Sequence, residues 1–241
     1  VIVTAAAGSG IGFATAKRCI EEGAEVLISD FHEKRLLESA KKLKDELSYF
    51  PPTFLCDVTD SEQTDQLIKV ASEELGKIDI LINNAGLGGF SKVSEMSDED
   101  WYKVLETTLT GTFKMTRSAL RYMEEQKRGV IVNNASVLGW RAQENQAHYS
   151  SAKAGVMAFT RSTALEAVKF GVRVNAVSPS IAIHENLSKT SNNELIEELI
   201  EKEAFGRAAE PWEVANVIIF LASDYSSYLT GEVISVSSQH P

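Results

Sequence analysis

The sequence has 241 residues, of which 44% are hydrophobic, and it carries a formal net charge of −10 with a pI near 5.0. This length suits one large α/β domain over residues 1–241. The negative charge disfavours nucleic acid and anionic membranes as partners, because binding to phosphates needs a clustered basic surface. We therefore expect a small-molecule substrate.

Cysteine usage and hydropathy indicate the compartment. Cys19 and Cys56 are too few for a disulfide framework and lack metal-ligand spacing, so no metal site is predicted. There is no apolar run of about 18 residues and no leader pattern, which predicts a cytoplasmic protein. Because Val1 already lies in a strand-like run, we expect a short segment to precede it in the natural chain.

The chain opens with a strand-like run, a glycine-rich turn and a helix. Residues 1–3 form the run, the turn ends in Ser9-Gly10-Ile11-Gly12, and helical composition begins at Phe13. Glycines let the backbone approach a pyrophosphate, and the start of a helix favours its negative charge. The pattern predicts a dinucleotide-binding turn, although a tight turn without a ligand would look similar.

Asp30 follows the second predicted strand, about 20 residues beyond the glycine turn. A carboxylate at this position can accept the ribose hydroxyls of an adenosine and would repel a 2′-phosphate. Ser9, rather than a basic residue, occupies the turn. We therefore predict NAD rather than NADP, with a helix cap at Asp30 as the alternative.

Later strand ends also carry polar or small residues. Asp57 follows the third predicted strand and either contacts the adenine or forms a turn. Asn84, Ala85 and Gly86 follow the fourth, where amides and small residues permit a close approach of the cofactor. The carboxyl ends of strands are where open α/β sheets bind ligands, but plain loops of turn-forming residues give the same pattern.

Strands alternate with helices along the whole chain. The predicted strands are 1–3, 25–29, 53–56, 78–82, 130–132, 172–177 and 232–236. The predicted helices are 13–22, 32–47, 61–75, 97–123, 148–170, 194–202 and 211–222. This alternation predicts a Rossmann-like, doubly wound parallel sheet of about seven strands with helices on both faces.

Ser136, Tyr149 and Lys153 are the candidate catalytic residues. Ser136 follows the fifth predicted strand, and Tyr149 and Lys153 are four residues apart at the start of the next helix, on one face. An ammonium close to a phenol favours its anion, so we expect Lys153 to lower the pKa of Tyr149 from its usual value of about 10. Tyr149 would then exchange protons near neutral pH.

The segment 179–205 departs from the alternation of strands and helices. It contains polar runs and only a short helical pattern. A lid over the substrate and a surface insertion both fit this composition, and the sequence leaves the two alternatives open.

These motifs together resemble the short-chain dehydrogenase/reductase family over essentially the whole chain. The glycine turn, Asn83-Asn84-Ala85-Gly86, Ser136, the Tyr149–Lys153 motif and Arg173-Val174-Asn175 appear in the family's order. Residues 4–12 and 205–212 are most similar to 3-oxoacyl-carrier-protein-reductase-like members and to actinobacterial members associated with sterol degradation.

The resemblance implies an NAD(H)-dependent oxidoreductase that interconverts a secondary alcohol and a ketone, on an alicyclic, steroid-derived or acyl-thioester substrate. Tyr149 would exchange a proton with the substrate oxygen, Lys153 would also hold the nicotinamide ribose, and Ser136 would bind the reacting oxygen. A homotetramer or homodimer is implied too. The alternatives are an NADPH-dependent 3-oxoacyl-carrier-protein reductase and a non-catalytic NAD-binding module.

The predicted cofactor contacts combine the turn, the strand ends and the catalytic helix. They are Ala6, Ser9, Gly10, Ile11, Gly12, Asp30, Asp57, Val58, Asn84, Ala85, Gly86, Tyr149, Lys153, Pro179 and Ile181.

Three positions depart from the family pattern. The family's first turn glycine falls on Ala6, which is tolerable only at negative φ. Thr108 replaces an asparagine that in the family helps to hold a water behind the lysine, and we retain Thr108 as a catalytic candidate. Pro179-Ser180 replaces Pro-Gly, and His184 stands where a threonine commonly meets the cofactor's carboxamide.

Overall fold

The computed structural model describes residues 1–183 and 193–238. The strands are β1 (Ile2–Val3), β2 (Leu27–Asp30), β3 (Thr53–Leu55), β4 (Ile80–Asn83), β5 (Gly129–Asn134), β6 (Val172–Pro179) and β7 (Val233–Val236). The α-helices are α1 (Ile11–Glu21), α2 (Glu33–Leu47), α3 (Ser61–Leu75), α4 (Asp98–Leu105), α5 (Gly111–Gln126), α6 (Ala147–Ala167), α7 (Asn193–Glu201) and α8 (Pro211–Ala222). A π turn, Glu106–Thr110, joins α4 to α5, and short 3₁₀ turns lie at Val137–Gly139, Val168–Phe170 and Asp224–Ser226.

The seven strands form one parallel sheet in the order β3-β2-β1-β4-β5-β6-β7. Parallel neighbours need crossover connections, and helices supply them on both faces. The predicted Rossmann-like fold is therefore confirmed. Strand order reverses at β1, which lies between β2 and β4, and in such sheets a ligand crevice forms beyond the carboxyl ends of the strands at this reversal.

The core has two layers, one on each face of the sheet. Ile82 of β4 packs in the same cluster as Phe13 of α1 and Val214 of α8. The preceding residue, Leu81, packs on the opposite face with Met115 of α5. Burial on both faces explains why the strands read as nearly continuous apolar runs. Each fully buried side chain of this size contributes roughly 1.5 to 3 kcal/mol to folding.

Four strands, β2, β4, β5 and β6, extend further at their carboxyl ends than the sequence predicts, whereas β3 ends at Leu55, one residue earlier than predicted. β5 continues through Asn134 instead of ending at 132, and β6 continues to Pro179 instead of 177. The added residues are polar or proline, which apolar periodicity does not mark as strand. The ladder nevertheless continues, with Asn134 opposite Val177. These extensions carry the backbone to the site described below.

The single helix predicted over 97–123 is interrupted by the π turn, and it runs on to Gln126. π turns inside helices often lie at functional sites.

The Arg173-Val174-Asn175 motif fastens β7 and the segment before it to β6. Arg173 donates to the carbonyl of Ser223 at 3.0 Å, and Asn175 donates to the carbonyl of Leu229 at 2.8 Å. The Asn175 side chain also accepts from the amide of Glu232 at 3.0 Å. In the described part of the chain, no helix is both long enough and apolar enough to cross a bilayer.

Candidate active site

Ser136 and Tyr149 meet at the junction of β5 and α6. Ser136 precedes the 3₁₀ turn at Val137–Gly139, and its Oγ accepts a hydrogen bond from the amide of Leu138 at 3.2 Å. The Ser136 hydroxyl also hydrogen-bonds the Tyr149 side chain. Ser136 is buried and Tyr149 is half-buried. Two hydroxyls are thus held together where they could both reach one substrate oxygen.

Lys153 lies one helical turn after Tyr149, with its ammonium buried. Its Nζ donates to the carbonyl oxygen of Asn134 at 2.5 Å and lies 5.7 Å from the centroid of the Tyr149 ring. Only 3% of Lys153 is exposed, and this loss of water lowers its pKa from 10.5 to about 8. A lysine in this state gains and loses its charge within a mildly alkaline range.

The predicted direction of the Tyr149 pKa is wrong. Burial raises the pKa of Tyr149, and the hydrogen bond with Ser136 offsets only part of that rise. The physical reason is that the hydroxyl loses water directly, whereas the ammonium of Lys153 is bonded to the carbonyl of Asn134. In this arrangement the phenol holds its proton at neutral pH and can serve as a donor.

Thr108 lies in the π turn, fully buried, and binds the segment that follows β4. Its Oγ1 accepts from the amide of Leu87 at 3.0 Å and donates to the carbonyl of Leu87 at 3.1 Å. A Cβ at the neighbouring Gly86 would lie 3.4 Å from the Nζ of Lys153 and 3.7 Å from the Oγ1 of Thr108. Thr108 therefore shapes the wall beside Lys153, and its part in a proton relay stays a prediction.

The glycine turn is fastened by side chains from β2 and α2. The amide of Ala7 donates to Asp30 Oδ2 at 3.2 Å, and the amide of Gly8 donates to Ser39 Oγ at 2.9 Å. Sequence reasoning missed Ser39, because a serine inside a helix carries no motif. Ala5 takes the left-handed conformation with φ of +49°, whereas Ala6 keeps a negative φ. The unusual shape of the turn is thus accommodated at Ala5.

Gly12 is required by the close contact between α1 and the turn. A Cβ there would lie 2.3 Å from the carbonyl oxygen of Ala5 and 2.5 Å from Asn84 Nδ2. Gly10 occupies the N-cap of α1, so no N-cap side chain takes the first amides, and the first turn has no acidic residue. These amides and the helix dipole fit the pyrophosphate of a dinucleotide, with Ser9 and Ile11 on either side of Gly10.

Asp30 is held in place before α2 begins. Its second oxygen accepts from the amide of His32 at 2.9 Å, and only 8% of the residue is exposed. Burial raises the pKa of Asp30, while the hydrogen bond from Ala7 opposes the rise. His32, rather than Asp30, is the N-cap of α2. A carboxylate fixed at this strand end suits a ribose diol.

Asp57 and Val58 follow β3. Asp57 Oδ1 accepts from both the amide and the hydroxyl of Thr59, at 2.8 and 2.7 Å, so the predicted turn-forming alternative is observed. Val58 is buried against the start of α5, where a Cβ on Gly111 would lie 2.6 Å from it. An adenine contact for either residue stays a prediction.

The segment after β4 is tied to the end of β1. Thr4 Oγ1 accepts from the amides of Asn84 and Ala85 at 3.0 and 3.1 Å, and Asn84 Nδ2 donates to the carbonyl of Ala5 at 3.0 Å. Asn84, Ala85 and Gly86 therefore stand beside the glycine turn, as a shared cofactor site requires.

The segment 179–205 is only partly described. Pro179 ends β6, and the carbonyl of Ile181 accepts from the amide of Ala209 at 2.9 Å, which anchors the start of the segment. Residues 184–192, including His184, lie outside the described residues. Near the other end, Glu203 is buried and accepts from the Ser238 hydroxyl at 2.6 Å. The lid stays a prediction.

A glycine turn between β1 and α1, together with Ser136 after β5 and Tyr149 and Lys153 on α6, is the arrangement expected of a dinucleotide-dependent oxidoreductase on a Rossmann-like sheet. Within residues 1–183 and 193–238, no three His, Cys, Asp or Glu residues lie close enough to hold a metal ion.

Comparison with known proteins gives the family. A family model described as enoyl-(acyl carrier protein) reductase matches residues 5–238. The (5R,7aS)-5-hydroxy-7a-methyl-1-oxo-2,3,5,6,7,7a-hexahydro-1H-indene-carboxyl-CoA reductase of Mycobacterium tuberculosis is 60% identical, over 100% of this chain and 92% of the relative. The 3-oxoacyl-[acyl-carrier-protein] reductase FabG of Thermotoga maritima is 36% identical, over 98% of this chain and 95% of the relative. The crystal structure of a short chain dehydrogenase from Mycobacterium smegmatis matches with a TM-score of 0.88 and 56% identity, over 100% of this chain and 92% of that structure's chain.

The chain therefore belongs to the short-chain dehydrogenase/reductase family and is an oxidoreductase.

Proposed function

We propose that this protein is an NAD(H)-dependent oxidoreductase that interconverts a secondary alcohol and a ketone on an alicyclic substrate carried as a coenzyme A thioester. One observation carries the chemical part of the proposal. The bonded hydroxyls of Ser136 and Tyr149 lie beside the buried ammonium of Lys153, at the same edge of the sheet as the glycine turn.

In the direction of reduction, Tyr149 gives its proton to the ketone oxygen as the carbonyl carbon gains a hydride, and the product is a secondary alcohol. A bound nicotinamide supplies or accepts that hydride. Ser136 donates a hydrogen bond to the same oxygen, and Lys153 holds the nicotinamide ribose and offsets the charge left on the phenol. General acid–base help of this kind contributes about 10² to 10⁴ in rate, and alignment of the reactants supplies the rest.

The residues proposed to hold the cofactor divide by the part they contact. The turn and the start of α1 take the pyrophosphate, and Asp30 takes the adenosine ribose. Asp57 and Val58 lie toward the adenine. The nicotinamide side is formed by Asn84, Ala85, Gly86, Tyr149, Lys153, Pro179 and Ile181.

The surroundings of the site support an apolar substrate. Phe90, Trp140 and Ile183 are exposed, and they follow β4, β5 and β6 at the same edge of the sheet. Exposed apolar side chains at the edge of the sheet that carries the site favour the binding of an apolar ring system. The name of the Mycobacterium tuberculosis relative supports a bicyclic ketone joined to coenzyme A.

Tyr149→Phe tests the proposed chemistry. We expect kcat for an alicyclic keto-acyl-CoA panel to fall by about 100-fold or more, because the proton donor is lost, while calorimetry still detects NAD binding through the remaining cofactor contacts. Tyr102→Phe, at an exposed tyrosine of α4, is the matched control and should keep wild-type rates. Equal rates for wild type and Tyr149→Phe would contradict the mechanism. A wild-type protein that binds NAD but turns over no alcohol or ketone would support the non-catalytic alternative.

Asp30→Ala tests the choice of nucleotide. Removing the carboxylate is expected to narrow the ratio of kcat/KM for NAD over NADP by about tenfold or more, because repulsion of the 2′-phosphate is lost. Asp45→Ala, on the exposed side of α2, should leave the ratio unchanged. An unchanged ratio in Asp30→Ala would show that Asp30 does not determine the preference for NAD over NADP. A wild-type preference for NADPH with acyl-carrier-protein substrates would favour the fatty-acid reductase alternative.

We also propose that the protein is a homotetramer or a homodimer. Aromatic side chains on and after α8 stand exposed, namely Trp212, Phe220, Tyr225 and Tyr228. Exposed apolar surface of this kind is typical of a protein interface. Light scattering should give a mass of two or four chains, and a monomer at micromolar concentration would contradict the proposal.

A further inference from the structure

Two pairs of asparagines lie side by side where β4 and β5 end. Asn83 is opposite Asn133 in the parallel register, so Asn84 and Asn134 are the next neighbours, on the other face. Asn83 Nδ2 donates to Asn133 Oδ1 and to Thr116 of α5, each at 2.9 Å. Asn83 and Asn133 therefore bond each other and α5 inside the core.

The second pair connects to the glycine turn. The carbonyl of Ala5 can only accept, so the amide of Asn84 must present Nδ2 to it, at 3.0 Å. Asn84 Oδ1 then faces Asn134, and it accepts from Asn134 Nδ2 at 2.9 Å. The orientation of both amides follows from one backbone carbonyl.

Ala5 is the point at which the turn needs support. It is a non-glycine residue at φ +49°, a conformation that costs free energy and persists only where its surroundings enforce it. Its carbonyl also lies against Gly12 at the start of α1. A shift of Ala5 would move the amides that form the proposed pyrophosphate site.

The backbone of Asn134 serves the other half of the site. Its carbonyl oxygen accepts from Lys153 Nζ at 2.5 Å. One residue therefore bonds the catalytic lysine through its main chain and the glycine turn, by way of Asn84, through its side chain.

Folding stability alone does not explain why an asparagine occupies position 134. Its Oδ1 is buried and has no hydrogen-bond partner within residues 1–183 and 193–238. An apolar side chain at this position would remove this unpaired acceptor but would leave Asn84 Oδ1 without its donor, so the amide brings no net gain in stability. A role in positioning accounts for an amide here, because only its NH₂ group satisfies Asn84.

We propose that Asn134 is a positioning residue that couples the dinucleotide-binding turn to Lys153, so that the two halves of the site are held in register. This inference rests on the proposed NAD(H)-dependent function. Its test therefore begins with the binding of NAD and NADP to the wild-type protein, measured by isothermal titration calorimetry without substrate. A wild type that binds neither nucleotide refutes the proposed function and the inference together.

Asn134→Leu removes the amide but keeps a side chain of similar size. We expect its Kd for NAD to rise about five- to tenfold, while the urea midpoint stays at the wild-type value because each protein leaves one buried acceptor unpaired. The pH profile of kcat should also shift, because loss of the side-chain bond to Asn84 loosens the end of β5, which carries the main-chain carbonyl that accepts from Lys153. Asn216→Leu, at an exposed asparagine of α8, should change none of these quantities.

A double-mutant cycle of Asn134→Leu with Asn84→Ala tests the connection itself. If the two residues act in series, the double variant binds NAD no more weakly than the weaker single variant. Additive losses, or an unchanged Kd in Asn134→Leu when wild type binds NAD, would overturn the inference and leave the proposed function standing. Asn134→Ala gives the same cycle if Asn134→Leu does not fold.

Discussion

The buried ammonium of Lys153, bonded to the carbonyl of Asn134, is the constraint on which the rest of the site depends. Removing a lysine from water is costly, and this burial lowers its pKa from 10.5 to about 8. The position is possible because β5 extends to Asn134 and supplies an acceptor. Gly86 leaves room beside the ammonium, since a Cβ there would approach Nζ to 3.4 Å. Sheet extension and a missing side chain thus make space for one charge.

The glycine turn between β1 and α1 carries a second local cost, the left-handed conformation of Ala5. It is held by neighbours from β2, from α2 and from the segments that follow β1 and β4. Asp30 and Ser39 accept from the amides of Ala7 and Gly8, and Thr4 and Asn84 join the turn to the segment after β4. A turn held at so many points needs little reorganisation to accept a ligand. The apolar cores on both faces of the sheet offset the cost of the buried Lys153 and of the left-handed Ala5.

Sequence patterns predicted the fold well, because alternating apolar strands and amphipathic helices follow from burial on both faces of a parallel sheet. They also marked Ser136, which follows an apolar strand, and Tyr149 and Lys153, whose spacing of four residues corresponds to one helix turn. They could not predict the raised pKa of Tyr149, because its sign depends on how much water packing removes. Ser39 and Asn134 were missed, since a serine within a helix and an amide after an apolar strand look like ordinary surface residues.

The fold gives up stability to bury the cation of Lys153, and the pH dependence of unfolding tests this cost most directly. Below about pH 8 the lysine is charged in both the native and the unfolded state. Between pH 8 and 10.5 the native state releases the proton of Lys153, while the unfolded state keeps it. The free energy of unfolding of the wild type therefore increases as the pH rises through this range. Urea unfolding of Lys153→Met and wild type should therefore show a difference in unfolding free energy that changes in favour of wild type by up to about 3 kcal/mol between pH 7 and 10. Lys69→Met, at an exposed lysine of α3, should show no such change. A difference between Lys153→Met and wild type that is the same at both pH values would contradict the account.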